Sequence, residues 1–136
     1  MTPIQVHPES GSSLTDQSGY DGARRLVITG PSGWAAEWAR IWATQDTAPP
    51  LPVVDFSQEF VVVAASGVHG SGGFQVLLSS AFVADGVLRI PVGEIVPGAG
   101  CAVAAVNTSP VSAARMPKFS GTIEFVEWKS TRLCPP

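Results

Sequence analysis

Phe60–Ser80 reads FVVVAASGVHGSGGFQVLLSS: an apolar run, a connection with four glycines, and a second apolar run. Phe60 to Ala65 is apolar at every position, the pattern of a central strand covered on both faces. Beyond the glycines, Phe74, Val76 and Leu78 alternate with Gln75 and Leu77, so a half-buried returning strand is expected. Glycine tolerates positive φ and lets another backbone come close, so Gly67, Gly70, Gly72 and Gly73 mark a shaped connection. That connection is either a hairpin turn or a working surface.

Outward from this stretch, the chain reads as short strands and one helix. Residues 1–22 read as a loose N-terminal arm whose extended piece, Ile4-Gln5-Val6, adds an edge strand, and residues 23–136 as a single β domain. Arg25 to Thr29 is β-branched and bounded by Gly30-Pro31, so it is a strand. Ser32 is placed to cap a helix over about residues 33–45. At 100° per residue Trp34, Trp38, Ile41 and Trp42 form one stripe, with Ala36, Ala39 and Ala43 opposite. Such a stripe packs against a sheet; a sugar-stacking platform is the sharper alternative. The connector Ala48-Pro49-Pro50-Leu51-Pro52 is extended and stiff. Asp55 can cap a turn through Ser57.

Downstream, Ala81-Phe82-Val83 continues the returning strand past a bulge at Ser79-Ser80. Asp85-Gly86 is a tight-turn signal leading into Val87–Val92, where Leu88, Ile90 and Val92 share a face. Pro91 lacks an N–H and points to an edge or a strand end. Cys101–Val106 reads as a strand of small apolar residues, Val111–Met116 as a weaker one, and Thr122–Trp128 as the last. The sum is about eight short strands, mostly hairpin-connected, and one helix. This is a mainly β (α+β) chain: an antiparallel β-sandwich or small barrel with one helix packed on it.

Composition excludes several function classes. The 136 residues carry a net charge of −3 and no block of Lys or Arg, which disfavours nucleic acid as a partner. No apolar run approaches the roughly 20 residues of a membrane-spanning helix. The start, MTPIQVHPESGSS, has no signal-peptide pattern, so the chain is either cytoplasmic or numbered from beyond a removed signal. Cys101 and Cys134 are either two buried thiols or one disulfide. A bridge would close a loop of about 30 residues, worth roughly 3–4 kcal/mol in the chain-entropy view.

Catalytic patterns are weak. His7 sits in the arm, and His69 lies beside Ser66 and Ser71 without an orienting acid or a Gly-x-Ser-x-Gly elbow. Gly70-Ser71-Gly72-Gly73 lacks the lysine and following helix of a phosphate loop. Two histidines and two cysteines, widely spread, give no metal-ligand spacing, and no cofactor is expected.

Several separated motifs are similar to one family. They are Gln17-Ser18-Gly19-Tyr20, Trp34…Trp38…Trp42, Pro52-Val53-Val54-Asp55-Phe56-Ser57, Ser71-Gly72-Gly73-Phe74, Cys101, Thr108-Ser109-Pro110-Val111, Met116-Pro117-Lys118 and Ile123-Glu124-Phe125. In this order they resemble the PrcB-like proteins, the protease-complex-stabilising family of bacterial exported proteins, over about Gln17 to Trp128. Phe74 stands where that family commonly has tyrosine. The resemblance implies an exported, often lipid-anchored, non-enzymatic domain that binds a protein partner, a protease in the family's namesake. The glycine–aromatic turn is also similar, more distantly, to the cleft-entering loop of chagasin-type protease inhibitors.

The expected binding loop is therefore Val68, His69, Gly70, Ser71, Gly72, Gly73 and Phe74. Phe74 is expected to turn inward as a plug, leaving Val68 to Ser71 free with His69 as the polar reach. The alternatives are a protease inhibitor acting through Gly70–Phe74, or a small-ligand or glycan-binding protein using exposed tryptophans.

Overall fold

The computed structural model describes Ile4–Gln5 and residues 14–135. His7 and Val6 lie outside the described residues. The strands are β1 (Ile4–Gln5), β2 (Arg24–Ile28), β3 (Glu59–Ala65), β4 (Gln75–Leu78), β5 (Phe82–Ala84), β6 (Val87–Pro97), β7 (Val111–Pro117) and β8 (Thr122–Arg132), with one helix, α1 (Pro31–Ile41). They form a β-sandwich with a helix packed on it, not a closed barrel. The first sheet is antiparallel in the order β1-β7-β3-β2. The second is centred on β6, with β4 and β5 in line along one side and β8 along the other.

β3 is the middle of three layers. Phe60, Val62 and Ala64 face the second sheet and join Val76, Leu78, Leu88, Ile90, Val92 and Met116. Val61, Val63 and Ala65 face the other way and meet Trp34, Trp38, Ile41 and Tyr20. This is why the strand is apolar at consecutive positions. Each valine here is fully buried, which stabilises the fold by roughly 1.5–3 kcal/mol per side chain.

The helix starts two residues before the expected 33–45 and ends about one turn before it, at Ile41. Gly30 is its N-cap and Pro31 its first residue, where the missing N–H costs nothing; Ser32 makes no cap. It ends because Gly19 and Ala43 both donate N–H bonds to the Arg40 carbonyl. Trp34 and Trp38 are core residues, and their indole N–H groups donate to the carbonyls of Pro52 and Pro49, tying down the proline connector. Trp42 is half-buried beside them, and Ala36, Ala39 and Ala43 are exposed.

Residues 14–22 are not loose. Leu14 donates to the Val111 carbonyl and Ser18 to that of Ser109, while Tyr20 is buried against the helix. A Cβ on Gly19 would lie 2.4 Å from the Arg40 oxygen, so only glycine lets this segment close on the helix end.

Three connections differ from the sequence expectation. β3 and β4 lie in different sheets, so the glycine stretch is a crossover between layers and not a hairpin. Residues 101–106 form no strand: Ala102–Val106 are exposed and lie across the glycine stretch as a strap. β8 runs parallel to β6 over eleven paired residues. A parallel neighbour needs a crossover, and here it passes through β7 in the other sheet. Pro91 sits inside β6, not at its end. Its carbonyl accepts from Ser79, on the side where β4 has ended and β5 has not begun. A strand residue presents its N and C=O to the same side, so the missing N–H falls in that break. Asp85 and Gly86 both have positive φ and close the β5–β6 turn. No helix among the described residues is long and apolar enough to cross a membrane.

Candidate functional site

The glycine stretch leaves β3 at one end of the sandwich, and its shape follows from individual residues. Gly67 has φ +93 and packs against the backbone of Gly22 and Ala23, where a Cβ would lie 3.2 Å from the Ala23 nitrogen. Gly73 has φ +94 and is covered by Val103 and Pro97. Gly72 is buried under Ala104 and donates to its carbonyl at 2.9 Å. Gly70 has no such constraint and is exposed.

Between these fixed points the backbone is strapped. His69 N–H donates to the Thr108 carbonyl at 2.8 Å, and Thr108 N–H returns the bond to His69 at 2.9 Å. The Thr108 hydroxyl donates to the Ser71 carbonyl. The strap is itself anchored, because Cys101 is bonded to Cys134 beyond the end of β8, with Cα atoms 5.1 Å apart. Of the two readings the cysteines allowed, the disulfide is the one formed.

The His69 side chain turns back toward the sandwich. Its ring stacks on Phe74 with centroids 3.9 Å apart and planes within 3°. Phe74 is therefore half-buried and sandwiched by histidine, not an inward plug. His69 Nε2 lies 2.6 Å from Ser66 Oγ, and that hydroxyl lies 2.5 Å from Glu94 Oε1. Glu94 accepts from Arg25, which makes a two-pronged pair with Glu127 at 2.9 Å per prong. Arg25 also donates to the carbonyls of Ala65 and Arg24 at 2.9 Å. All five guanidinium N–H groups are thus used. The hydrogen bonds it donates to Glu127 and the negative charge of both acids raise the Arg25 pKa against the opposing effect of burial.

The proton positions follow from chemistry. A carboxylate only accepts, so the single Ser66 proton points to Glu94, and His69 Nε2 must donate to Ser66. This is opposite to a Ser–His nucleophile, in which histidine accepts the serine proton and the acid sits behind the histidine. The arrangement holds the histidine in place.

The chain matches no family model, no curated protein and no solved structure. The residues themselves carry the argument. Of the expected loop, Val68 is 54% exposed and Gly70 is exposed, while Gly72 is buried and His69, Ser71, Gly73 and Phe74 are half-buried. What faces outward is thus a short ridge, Val68 to Ser71. Arg25, Glu94 and Glu127, which anchor it from β2, β6 and β8, were not singled out from the sequence. One signal was present: Glu94 continues the inward phase of Leu88, Ile90 and Val92, and a charge at a core position requires a partner.

Proposed function

We propose that this domain is a non-enzymatic binding module that presents the Val68–Ser71 ridge to a protein partner. The observation that carries the reading is an exposed apolar tip, Val68, on a backbone paired on both sides of His69 to Thr108. A fixed ridge loses little entropy on binding, which is how a short loop achieves useful affinity. The similarity of its ordered motifs to PrcB-like proteins makes a protease the first partner to test. The disulfide supports an oxidising, exported setting.

A photoreactive amino acid at position 68, in the cells that make the protein, is expected to cross-link to one protein partner. The same group at Val83, equally exposed on β5, is expected to give none. Identical products from both positions, or none from either, would refute the reading. A cleft-entering inhibitor would use the same ridge. It is distinguished by loss of peptidase activity when the purified domain is added to serine, cysteine and metalloproteases.

A further inference from the structure

β8 is an open edge. Its inner side pairs with β6 from Val87↔Thr122 to Pro97↔Arg132, and no described strand pairs with its outer side. Exposed edges invite another strand unless they are short, bulged, broken by proline or guarded by charges that an incoming strand does not match. β8 is eleven residues long, contains no proline and keeps an unbroken register with β6.

We propose that β8 pairs antiparallel with β8 of a second copy, about a two-fold axis at Trp128, joining two second sheets into one. The strand reads TIEFVEWKSTR, with acids at Glu124 and Glu127 and bases at Lys129 and Arg132. Laid antiparallel on itself with Trp128 opposite Trp128, it sets Glu124, which also pairs with Arg89 in its own chain, against Arg132, and Glu127, which also pairs with Arg25, against Lys129. Each pair occurs twice by symmetry. A shift of one residue either way leaves all four charges facing uncharged residues. A shift of two sets Glu127 or Lys129 against itself. Only the Trp128-centred register pairs all four.

Apolar exposure fits the same register. Directly opposed residues share a face, so Trp128, 39% exposed on the outer face, meets its own symmetry mate. Leu133, just beyond the strand and 88% exposed, falls opposite Ile123. Trp128 is held flat for this role. It covers Gly93 on β6 so closely that a Cβ there would lie 1.9 Å from the indole.

Sedimentation equilibrium on the intact chain is expected to give twice its mass of 14.1 kDa. Arg132→Glu sets two like-charge pairs across the axis and is expected to raise the dissociation constant roughly ten- to a hundredfold. The double variant Glu124→Arg/Arg132→Glu restores opposite charges and is expected to recover the dimer. Both positions are exposed, and Glu124→Arg also gives up the surface ion pair of Glu124 with Arg89, so the variants are expected to keep the parent's circular dichroism, and the single variant Arg132→Glu its melting temperature as well. A wild-type chain that stays monomeric at every concentration would overturn the proposal. So would a dimer indifferent to Arg132→Glu, or a double variant that fails to recover it.

Discussion

Replacing Arg25 by alanine removes the group that ties β2 to β6 and β8. Its guanidinium supplies five hydrogen bonds, two to Glu127, one to Glu94 and one each to the carbonyls of Ala65 and Arg24. Exposure decides the magnitude. Fully exposed pairs are worth at most about 1 kcal/mol, and breaking a buried one costs about 3–5 kcal/mol. Arg25 and Glu94 are 19% and 21% exposed at their side chains, but Glu127 is 50% exposed. Arg25→Ala should therefore cost about 2–3 kcal/mol, or roughly 8–10 °C in melting temperature for a domain of this size. Arg25→Lys keeps the charge but has three donors for five acceptors, and should cost about half as much. Urea denaturation followed by tryptophan fluorescence measures both. Amide exchange gives a second readout. With Glu94 released, Ser66 and the His69 ring lose their anchor, so the amides of His69 and Thr108 should exchange faster while that of Val62 does not. A cost below about 0.5 kcal/mol with unchanged exchange would show that the cluster is a solvated surface pair.

Two further outcomes follow from the chemistry. Reducing the disulfide, or replacing both cysteines by serine, should lower stability by about 4 kcal/mol, from a loop closed across a sequence separation of 33; an unchanged urea midpoint would refute the strap's role. Tyr20 is the one tyrosine, and burial, then its hydrogen bond to Glu37 and that acid's charge, raise its pKa well above the ordinary value. The folded pKa exceeds the unfolded one, so this contribution is complete below about pH 10 and is lost as pH rises above it. Tyrosinate absorbance should appear only together with unfolding, and a reversible titration near pH 10 in the folded chain would contradict this.

The layers of the fold were legible because burial writes directly into pattern. Phe60–Ala65 is apolar on both faces and lies between two cores. The tryptophan stripe packs where its phase says it should, and Asp85-Gly86 turns the chain. What failed were inferences about where a segment goes next. Small apolar residues at Cys101–Val106 suit a strand, but nothing local shows that they lie over glycines without joining a ladder. Two apolar runs joined by glycines look alike as a hairpin and as a crossover, since alternation reports burial and not the partner strand. The candidate site was half legible. The glycines advertised the ridge, but its anchors come from strands far apart in sequence, and only the misplaced charge of Glu94 hinted at them.

The place of β7 has a consequence for how the protein is made. β7 separates β1 from β3 in the first sheet, and β8 comes after it in the chain. β2, α1 and β3 can associate as soon as they emerge, but one edge of β3 then stays open. β6 likewise lacks β8 along one whole side until Thr122–Arg132 is made. Synthesis from the N-terminus therefore displays two apolar strands, each with one open edge, until β7 and β8 arrive, a topology that folds slowly and invites aggregation. Any truncation of the C-terminal third should be read as a loss of closure in both sheets at once, not as the removal of a peripheral segment.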